Sequence, residues 1–124
     1  MDRKAAVRRF IDEAVNGGRD ELIDELVADK LRSGARDWFG AFRSSFPDVH
    51  METVELVADD DTVVGRFRCS ATHLGEWRGN PPTGRRFEGV DEVYFFRFDG
   101  DQIAAVWGIE DTLDRFQQLR LDPG

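Results

Sequence analysis

The chain has 124 residues, of which 40% are hydrophobic and 34% are charged, and its 25 acidic and 17 basic side chains give a formal net charge of −8. A chain of this length is typical of one compact domain, so we predict a single domain over residues 1–124. The acidic balance is the opposite of what binding to phosphates requires, which argues against a nucleic-acid partner. No apolar stretch approaches the length of a bilayer span, and we therefore expect no membrane association.

The beginning of the chain and its cysteine content indicate the compartment. Residues 1–4 lead into an amphipathic pattern that contains acidic residues, without the apolar core of a secretory signal. Cys69 is the only cysteine, so the chain cannot form an internal disulfide. We therefore expect a cytoplasmic protein.

Apolar residues at spacings of three and four predict helices in the first third of the chain. The predicted helices cover Ala5 to Val15, about Asp20 to Val27, and about Ala35 to Ser45. The third helix has an aromatic stripe, and Pro47 follows it where a helix should end. Its members are Trp38, Phe39, Phe42 and Phe46.

After Pro47 the apolar residues alternate with polar ones, which predicts strands. The predicted strands are Met51 to Ala58, Val63 to Thr72, Phe87 to Phe98, and Gln102 to Ile109. Asp99-Gly100 forms a hairpin turn, Gly75 to Gly84 a loop, and Asp111 to Leu121 a final helix. Helices followed by antiparallel strands predict an α+β fold whose helices pack on one face of a bent sheet and leave a pocket.

The strand from Phe87 to Phe98 offers two assignments of its inner face. One face presents Glu92, Tyr94 and Phe96, together with Phe98, and the other presents Val93 and Phe95. We prefer the first as the pocket face, because Phe98 continues its apolar lining, but the opposite assignment stays open. The preferred face would make Glu92, Tyr94 and Phe96 substrate-binding residues.

The last strand carries a candidate general base. Ile103, Ala105, Trp107 and Ile109 share one face, and the same period continues to Asp111. We therefore predict that Trp107 forms a pocket wall and that Asp111 lies at the rim, where partial burial would raise its pKa and make it a better base. Asp111 also precedes a predicted helix and can act as its N-cap, a role compatible with the first.

Three further side chains are candidates for the pocket. His73 ends a strand at the Gly/Pro loop and could carry a proton or bind a substrate carbonyl, or it could hold the loop backbone. Trp77 in that loop is a candidate lid residue that would contact substrate, or it packs at a dimer contact. Trp38, in the aromatic stripe, is expected to contact substrate.

The order of motifs from Phe46 onward resembles one family. The segments that carry the resemblance are Phe46-Pro47-Asp48, Val63-Val64-Gly65-Arg66, Thr72-His73-Leu74-Gly75-Glu76, Pro81-Pro82-Thr83-Gly84-Arg85, Phe95-Phe96-Arg97-Phe98-Asp99-Gly100, Trp107, Asp111 and Gln118-Leu119. This series is similar to the SnoaL-like polyketide cyclase (ester cyclase) family of the nuclear-transport-factor-2-like superfamily. The resemblance implies a cone-shaped curved antiparallel sheet closed by helices, a pocket inside it and frequent homodimers. It also implies an acid/base carboxylate at Asp111 and a pocket histidine at His73.

These observations together predict a cyclase or isomerase that needs no cofactor and no metal. Asp111 and His73 would be its catalytic residues, acting on a hydrophobic small molecule that contains a carbonyl group, as in an intramolecular aldol cyclisation of a polyketide. Two alternatives stay open. The protein could bind a small apolar ligand without turning it over, or it could be a non-catalytic dimeric accessory protein that associates through its outer sheet face.

Overall fold

A computed structural model describes residues 2–123 and contains four antiparallel strands, N-terminal helices and one C-terminal helix. The sheet order is β1-β2-β3-β4, so each strand pairs with its neighbour in sequence. The elements are α1 (Arg3–Arg9), which continues directly as a π-helical segment (Phe10–Val15), α2 (Leu22–Leu26), α3 (Asp29–Ser45), β1 (His50–Asp59), β2 (Thr62–Thr72), β3 (Arg86–Asp99), β4 (Gln102–Glu110) and α4 (Thr112–Gln118).

The helix α3 is longer than the sequence pattern predicts. It begins at Asp29 rather than at Ala35, after Ala28 in an extended conformation. Its first turns are mostly polar and include Gly34, a weak helix former, so apolar spacing alone misses them. No helix among residues 2–123 is both long enough and apolar enough to cross a membrane.

The core lies between the helices and one face of the sheet. Val7 and Ile11 on the first helix and Ile23 on α2 are buried. They face an inner sheet surface that is also buried and consists of Val63, Phe67, Phe96, Phe98 and Ile103. Burial of these apolar side chains is the main favourable contribution to folding. The α+β fold expected from the sequence, a curved antiparallel sheet packed against helices, is confirmed.

The inner face of β3 is the one that we prefer from the sequence. Glu92, Phe96 and Phe98 are buried, whereas Val93 and Phe95 lie on the opposite, outer face. Side chains of paired residues in an antiparallel sheet share a face. Glu92 pairs with Glu110 and Phe96 pairs with Val106, which turns those two β4 residues inward.

A β-bulge reverses the face pattern of β4. Phe98 pairs with Ile103, and the preceding β3 residue, Arg97, pairs with Ala105. Ala104 is therefore an extra residue without a partner in β3. Ile103 is buried on the inner face, while Trp107, beyond the bulge, lies on the outer face opposite Phe95. The prediction that Ile103 and Trp107 share a face is wrong, because one extra residue exchanges the two sides of a strand.

Candidate functional site

An apolar cavity of about 290 Å³ lies between the first helix, α3 and the inner face of the sheet. None of its lining residues is charged. Trp38 and Val106 in the lining are each 43% exposed, so the cavity reaches solvent at both residues. The lining consists of Phe10, Ile11, Val15, Leu31, Gly34, Ala35, Trp38, Phe39, Met51, Tyr94, Phe96, Val106 and Gly108.

Tyr94 connects this cavity to a buried polar group. Its hydroxyl donates a hydrogen bond to Oε1 of Glu92 at 2.7 Å and lies 3.4 Å from Oε2 of Glu110. The ring packs at 6.0 Å from Phe67 and 6.2 Å from Phe96, measured between centroids. The Tyr94 residue therefore contributes to the apolar lining, while its hydroxyl group contacts two carboxylates.

The two carboxylates share one cation, Arg115 of α4, whose side chain is fully buried. Arg115 Nη2 contacts Oε2 of Glu92 at 2.5 Å, and Nη1 contacts Oε1 of Glu110 at 2.7 Å. Its guanidinium lies over the ring of Phe87, 4.7 Å from the centroid. This cluster of two glutamates and one arginine carries a formal net charge of −1 when both carboxylates are ionised.

Burial changes the proton affinities in this cluster. Desolvation raises the pKa of Glu92, and the nearby Arg115 opposes this change without cancelling it. Burial, reinforced by the negative charge of Glu92, also raises the pKa of the Tyr94 phenol. Burial alone would lower the pKa of Arg115, but Glu110 and Glu92 outweigh it and the pKa is raised. The arrangement therefore holds a neutral phenol against a carboxylate of increased basicity.

The other predicted substrate-binding residues differ in where they lie. Trp38 and Phe96 line the cavity, and Glu92 is joined to it through Tyr94. Trp107 is 61% exposed on the outer face and packs against Phe95 with ring centroids 5.7 Å apart. The structure therefore corrects the prediction that Trp107 is a pocket wall, and the bulge at Ala104 is the physical reason.

Asp111 is exposed and acts as the N-cap of α4. Its Oδ1 accepts a hydrogen bond from the backbone N–H of Asp114 at 3.0 Å. Asp111 does not line the cavity described above, and the partial burial expected from the sequence is not observed. Because of the bulge, its neighbour Glu110 has the inward position that strand parity had given to Asp111.

His73 is fully buried and holds the loop that follows β2. The backbone N–H of Thr83 donates to Nδ1 at 3.3 Å, and the Thr83 hydroxyl lies 3.1 Å from the same atom. Its backbone N–H donates to Arg85, and its carbonyl accepts from Gly84. These contacts agree with the loop-holding alternative, and His73 is outside the lining of the cavity.

Trp77 is buried rather than poised as a lid. Its ring packs 4.7 Å from Phe116 of α4 and 5.6 Å from Phe46, and Arg78 lies over it. Trp77 does not line the cavity, which corrects its prediction as a substrate contact. Its ring contact with Phe116 packs the loop against α4.

The side chains of residues 2–123 give little support for thiol or metal chemistry. Cys69 is buried, and desolvation raises the pKa of its thiol, which disfavours the reactive thiolate. Within residues 2–123, no three side chains of His, Cys, Asp or Glu converge as a metal ion would require.

Glu110, Arg115 and Gly108 are absent from the sequence-based site. A Cβ on Gly108 would lie 2.1 Å from Cδ1 of Tyr94, so the missing side chain makes room for the tyrosine ring. Each of these residues depends on the register of β4, which the bulge shifts. Helix spacing gives no signal for Arg115, because neighbouring residues of a helix do not share a face and burial of Phe116 therefore does not predict burial of Arg115.

Comparisons with known proteins agree with this architecture. TsrD from Streptomyces laurentii is 25% identical, with 96% of this chain and 97% of that chain covered and a TM-score of 0.85. A candidate polyketide cyclase from Acidithiobacillus ferrooxidans is 28% identical, with coverage of 95% and 94% and a TM-score of 0.84. A SnoaL-like polyketide cyclase from Agrobacterium tumefaciens has the same fold at 23% identity, with coverage of 96% and 98% and a TM-score of 0.84.

The comparison with curated proteins yields no match. Comparison with protein families matches residues 5–119 to the SnoaL-like polyketide cyclases. This match covers most of the chain and agrees with the helices, the sheet and the structural relatives described above. The chain therefore belongs to the SnoaL-like polyketide cyclase family.

Proposed function

We propose that the protein is a cyclase or isomerase that acts by acid/base catalysis, without a cofactor, on an apolar small molecule containing a carbonyl group. The observation that carries this proposal is the hydrogen bond from Tyr94 to Glu92, which leads from an apolar cavity to a carboxylate of raised pKa. A general base works best when its pKa approaches the working pH, and burial moves Glu92 in that direction.

The proposed chemistry starts from the enol of a 1,3-dicarbonyl compound. The enol O–H transfers its proton to the Tyr94 oxygen while Tyr94 passes its own proton to Glu92. The resulting enolate carbon either takes up the proton that Glu92 returns through Tyr94, which completes an isomerisation to the ketone, or forms a bond to a further ketone carbon in the same molecule. In the second case Glu92 returns its proton through Tyr94 to the new alkoxide, so that atoms and charge balance.

The apolar walls have a separate role in this proposal. Phe10, Phe39 and Phe96 present rings to the cavity, and a flat apolar substrate would be held against them in a folded conformation. Holding two reacting atoms of one molecule in contact lowers the barrier by several kcal/mol. The base then acts on an enol O–H that the conjugated carbonyl group already makes acidic.

The test uses benzoylacetone, a neutral 1,3-diketone with one aromatic ring. The enol is diluted from an apolar solvent into buffer, and its conversion to the ketone is followed by the loss of enol absorbance. We expect the wild-type protein to accelerate this step, and we expect Tyr94→Phe and Glu92→Gln each to reduce the acceleration by at least about a hundredfold. Ser70→Ala removes a hydroxyl on the outer face and serves as the control. No acceleration by the wild type, or full activity in Tyr94→Phe, would refute the proposal.

Asp111 and His73 remain proposed catalytic residues for the same assay. Asp111→Asn keeps a capping side chain but removes the titrating group. Loss of turnover in this folded variant would assign a proton-transfer role to Asp111. For His73, NMR signals of the imidazole that shift on addition of benzoylacetone would support a pocket role, and signals that ignore it would support the loop-holding role.

We also propose a homodimer formed through the outer sheet face. Val57, Val64, Phe95 and Trp107 form one row across all four strands, and Val57 and Trp107 are 53% and 61% exposed. Beside this row Arg66 pairs with Asp91, so the face presents both charges, which lets opposite charges meet when two copies of the same face associate. Sedimentation should show a dimer for the wild type and a monomer for Trp107→Glu; a wild-type monomer at high concentration would refute this assignment.

A further inference from the structure

Two side chains in the cavity lining carry an N–H or O–H group, Tyr94 and Trp38. Trp38 is 43% exposed at the opening, where its indole N–H can reach water. Tyr94 lies on the sheet side of the cavity and bonds to the buried carboxylates. The selectivity of this cavity among polar ligands therefore depends on which hydrogen bonds the Tyr94 hydroxyl can form with a ligand.

A tyrosine hydroxyl has one hydrogen to donate, and here that hydrogen is engaged. It is directed to Glu92 at 2.7 Å, in a bond assisted by the charge of the carboxylate. A ligand carbonyl would have to compete with this carboxylate for the same hydrogen. The oxygen of Tyr94 can still accept, so a ligand that donates a hydrogen bond leaves the bond to Glu92 intact.

The charge behind Tyr94 disfavours a ligand anion. Both Nη atoms of Arg115 are engaged by Glu92 and Glu110, and Arg115 does not line the cavity. With both carboxylates ionised, the cluster keeps one unbalanced negative charge, and none of the cavity-lining residues is cationic. A carboxylate ligand would lose its hydration without gaining a positive partner.

We propose that this cavity selects a neutral ligand that carries a hydroxyl donor on an apolar ring, a phenol or an enol, over the corresponding ether, ketone or carboxylate. The inference rests on the proposed function in one respect: it makes the enol the tautomer that the site binds.

The test compares four two-ring probes that share a skeleton: 2-naphthol, 2-methoxynaphthalene, 2-naphthoate and naphthalene. Dissociation constants are measured by NMR titration of the backbone amides, with Gly34, Val106 and Gly108 reporting occupancy of the cavity. One hydrogen bond to a protein acceptor predicts that 2-naphthol binds about tenfold more tightly than 2-methoxynaphthalene. We expect 2-naphthoate to bind more weakly than naphthalene.

Two variants assign the preference to the tyrosine cluster. Tyr94→Phe should bring the ratio of 2-naphthol to 2-methoxynaphthalene affinity close to one and leave naphthalene binding within about twofold. Glu92→Gln removes the charged acceptor that holds the Tyr94 hydrogen, so the ratio should fall there as well. Gly34→Leu is the control for location, because Gly34 faces open space in the lining and a larger side chain would displace all four probes.

An ether or carboxylate that binds as tightly as 2-naphthol would overturn the inference, and so would a preference that survives Tyr94→Phe. Failure of all four probes to bind up to their solubility limits would overturn it too. None of the probes has a 1,3-dicarbonyl group to enolise, so these results are independent of the benzoylacetone assay. A hydroxyl preference without acceleration of benzoylacetone would retain the inference and reject the proposed function.

Discussion

Gly108 lies directly opposite Tyr94 on the neighbouring strand, and the Tyr94 ring occupies the space in which a side chain at position 108 would begin. The nearest ring atom is 2.1 Å from where a Cβ would stand, and the carbonyl oxygen of Val93 is 2.7 Å away. Neither distance is compatible with a Cβ. The orientation of the tyrosine toward Glu92 therefore depends on a missing side chain one strand away.

Gly108→Ala tests this dependence. The added methyl group must displace the Tyr94 ring or separate the strands, and we expect a loss of about 1–3 kcal/mol in the free energy of unfolding together with a loss of the 2-naphthol preference. Gly34→Ala is the matched control, because nothing lies within 4 Å of its Cβ position and alanine favours the helix. Urea unfolding measures the first effect and NMR titration the second; equal stability of the two variants would contradict the packing argument.

Arg115 should be the most costly polar side chain to remove. Arg115→Met leaves Glu92 buried without a cation, and breaking a buried ion pair in this way costs about 3–5 kcal/mol. Adding Glu92→Gln to Arg115→Met removes the isolated charge and should restore part of the stability. Urea unfolding followed by tryptophan fluorescence gives the three free energies. A double variant no more stable than Arg115→Met would show that the guanidinium acts by packing on Phe87 instead.

The raised pKa of Glu92 predicts how stability changes with pH. The folded-state pKa lies above the ordinary value of 4.5, so the folded protein holds this proton more tightly than the unfolded chain does. The favourable contribution of Glu92 is therefore complete below about pH 4.5 and is lost as the pH rises through the folded-state pKa. Measured by urea unfolding, the stability of the wild type relative to Glu92→Gln should fall as the pH rises above about 4.5 and should level off once the pH exceeds the folded-state pKa. A relative stability that rises with pH would mean that Arg115 dominates over burial.

His73→Phe tests the role of the imidazole in holding the loop. Phenylalanine can keep the ring contact with Phe46 but gives the Thr83 N–H no acceptor. Hydrogen exchange at the Thr83 amide should become about tenfold faster, as expected for the loss of one hydrogen bond. The amide of Trp77, which bonds to Asn80 within the same loop, is the internal reference. Unchanged exchange at Thr83 would show that other contacts hold the loop.

The capping role of Asp111 predicts a different pattern for two substitutions. Asp111→Ala removes the acceptor of the Asp114 N–H and should lower the free energy of unfolding by about 1 kcal/mol. Asp111→Asn retains an oxygen that can cap the helix and should stay within a few tenths of a kcal/mol of the wild type. Thermal unfolding of the two variants side by side measures this difference. An equal loss in both would mean that the charge of Asp111, rather than the hydrogen bond, stabilises α4.

Sequence periodicity predicted the element order, the fold class and the preferred face of β3, because each of these follows from local apolar spacing. Which β4 side chains face the core could not be predicted from the sequence. The alternating pattern assumes that every residue of the strand is paired, and Ala104 is an extra residue without a partner in β3. Trp107 and Glu110 changed sides for that single reason. Arg115 could not be placed from its own helix, because what buries it is a pair of carboxylates on two strands that only the register brings together.

The extra residue in β4 also determines how a deletion in this strand would change the protein. Removing Ala104 would restore simple alternation, so that Trp107 and Ile109 would turn toward the helices and Val106, Gly108 and Glu110 toward solvent. A one-codon deletion would thus exchange the exposed outer row of β4 with the wall of the cavity, and no side chain would need to change its identity. Insertions and deletions in this edge strand therefore have much larger effects than point substitutions at the same positions.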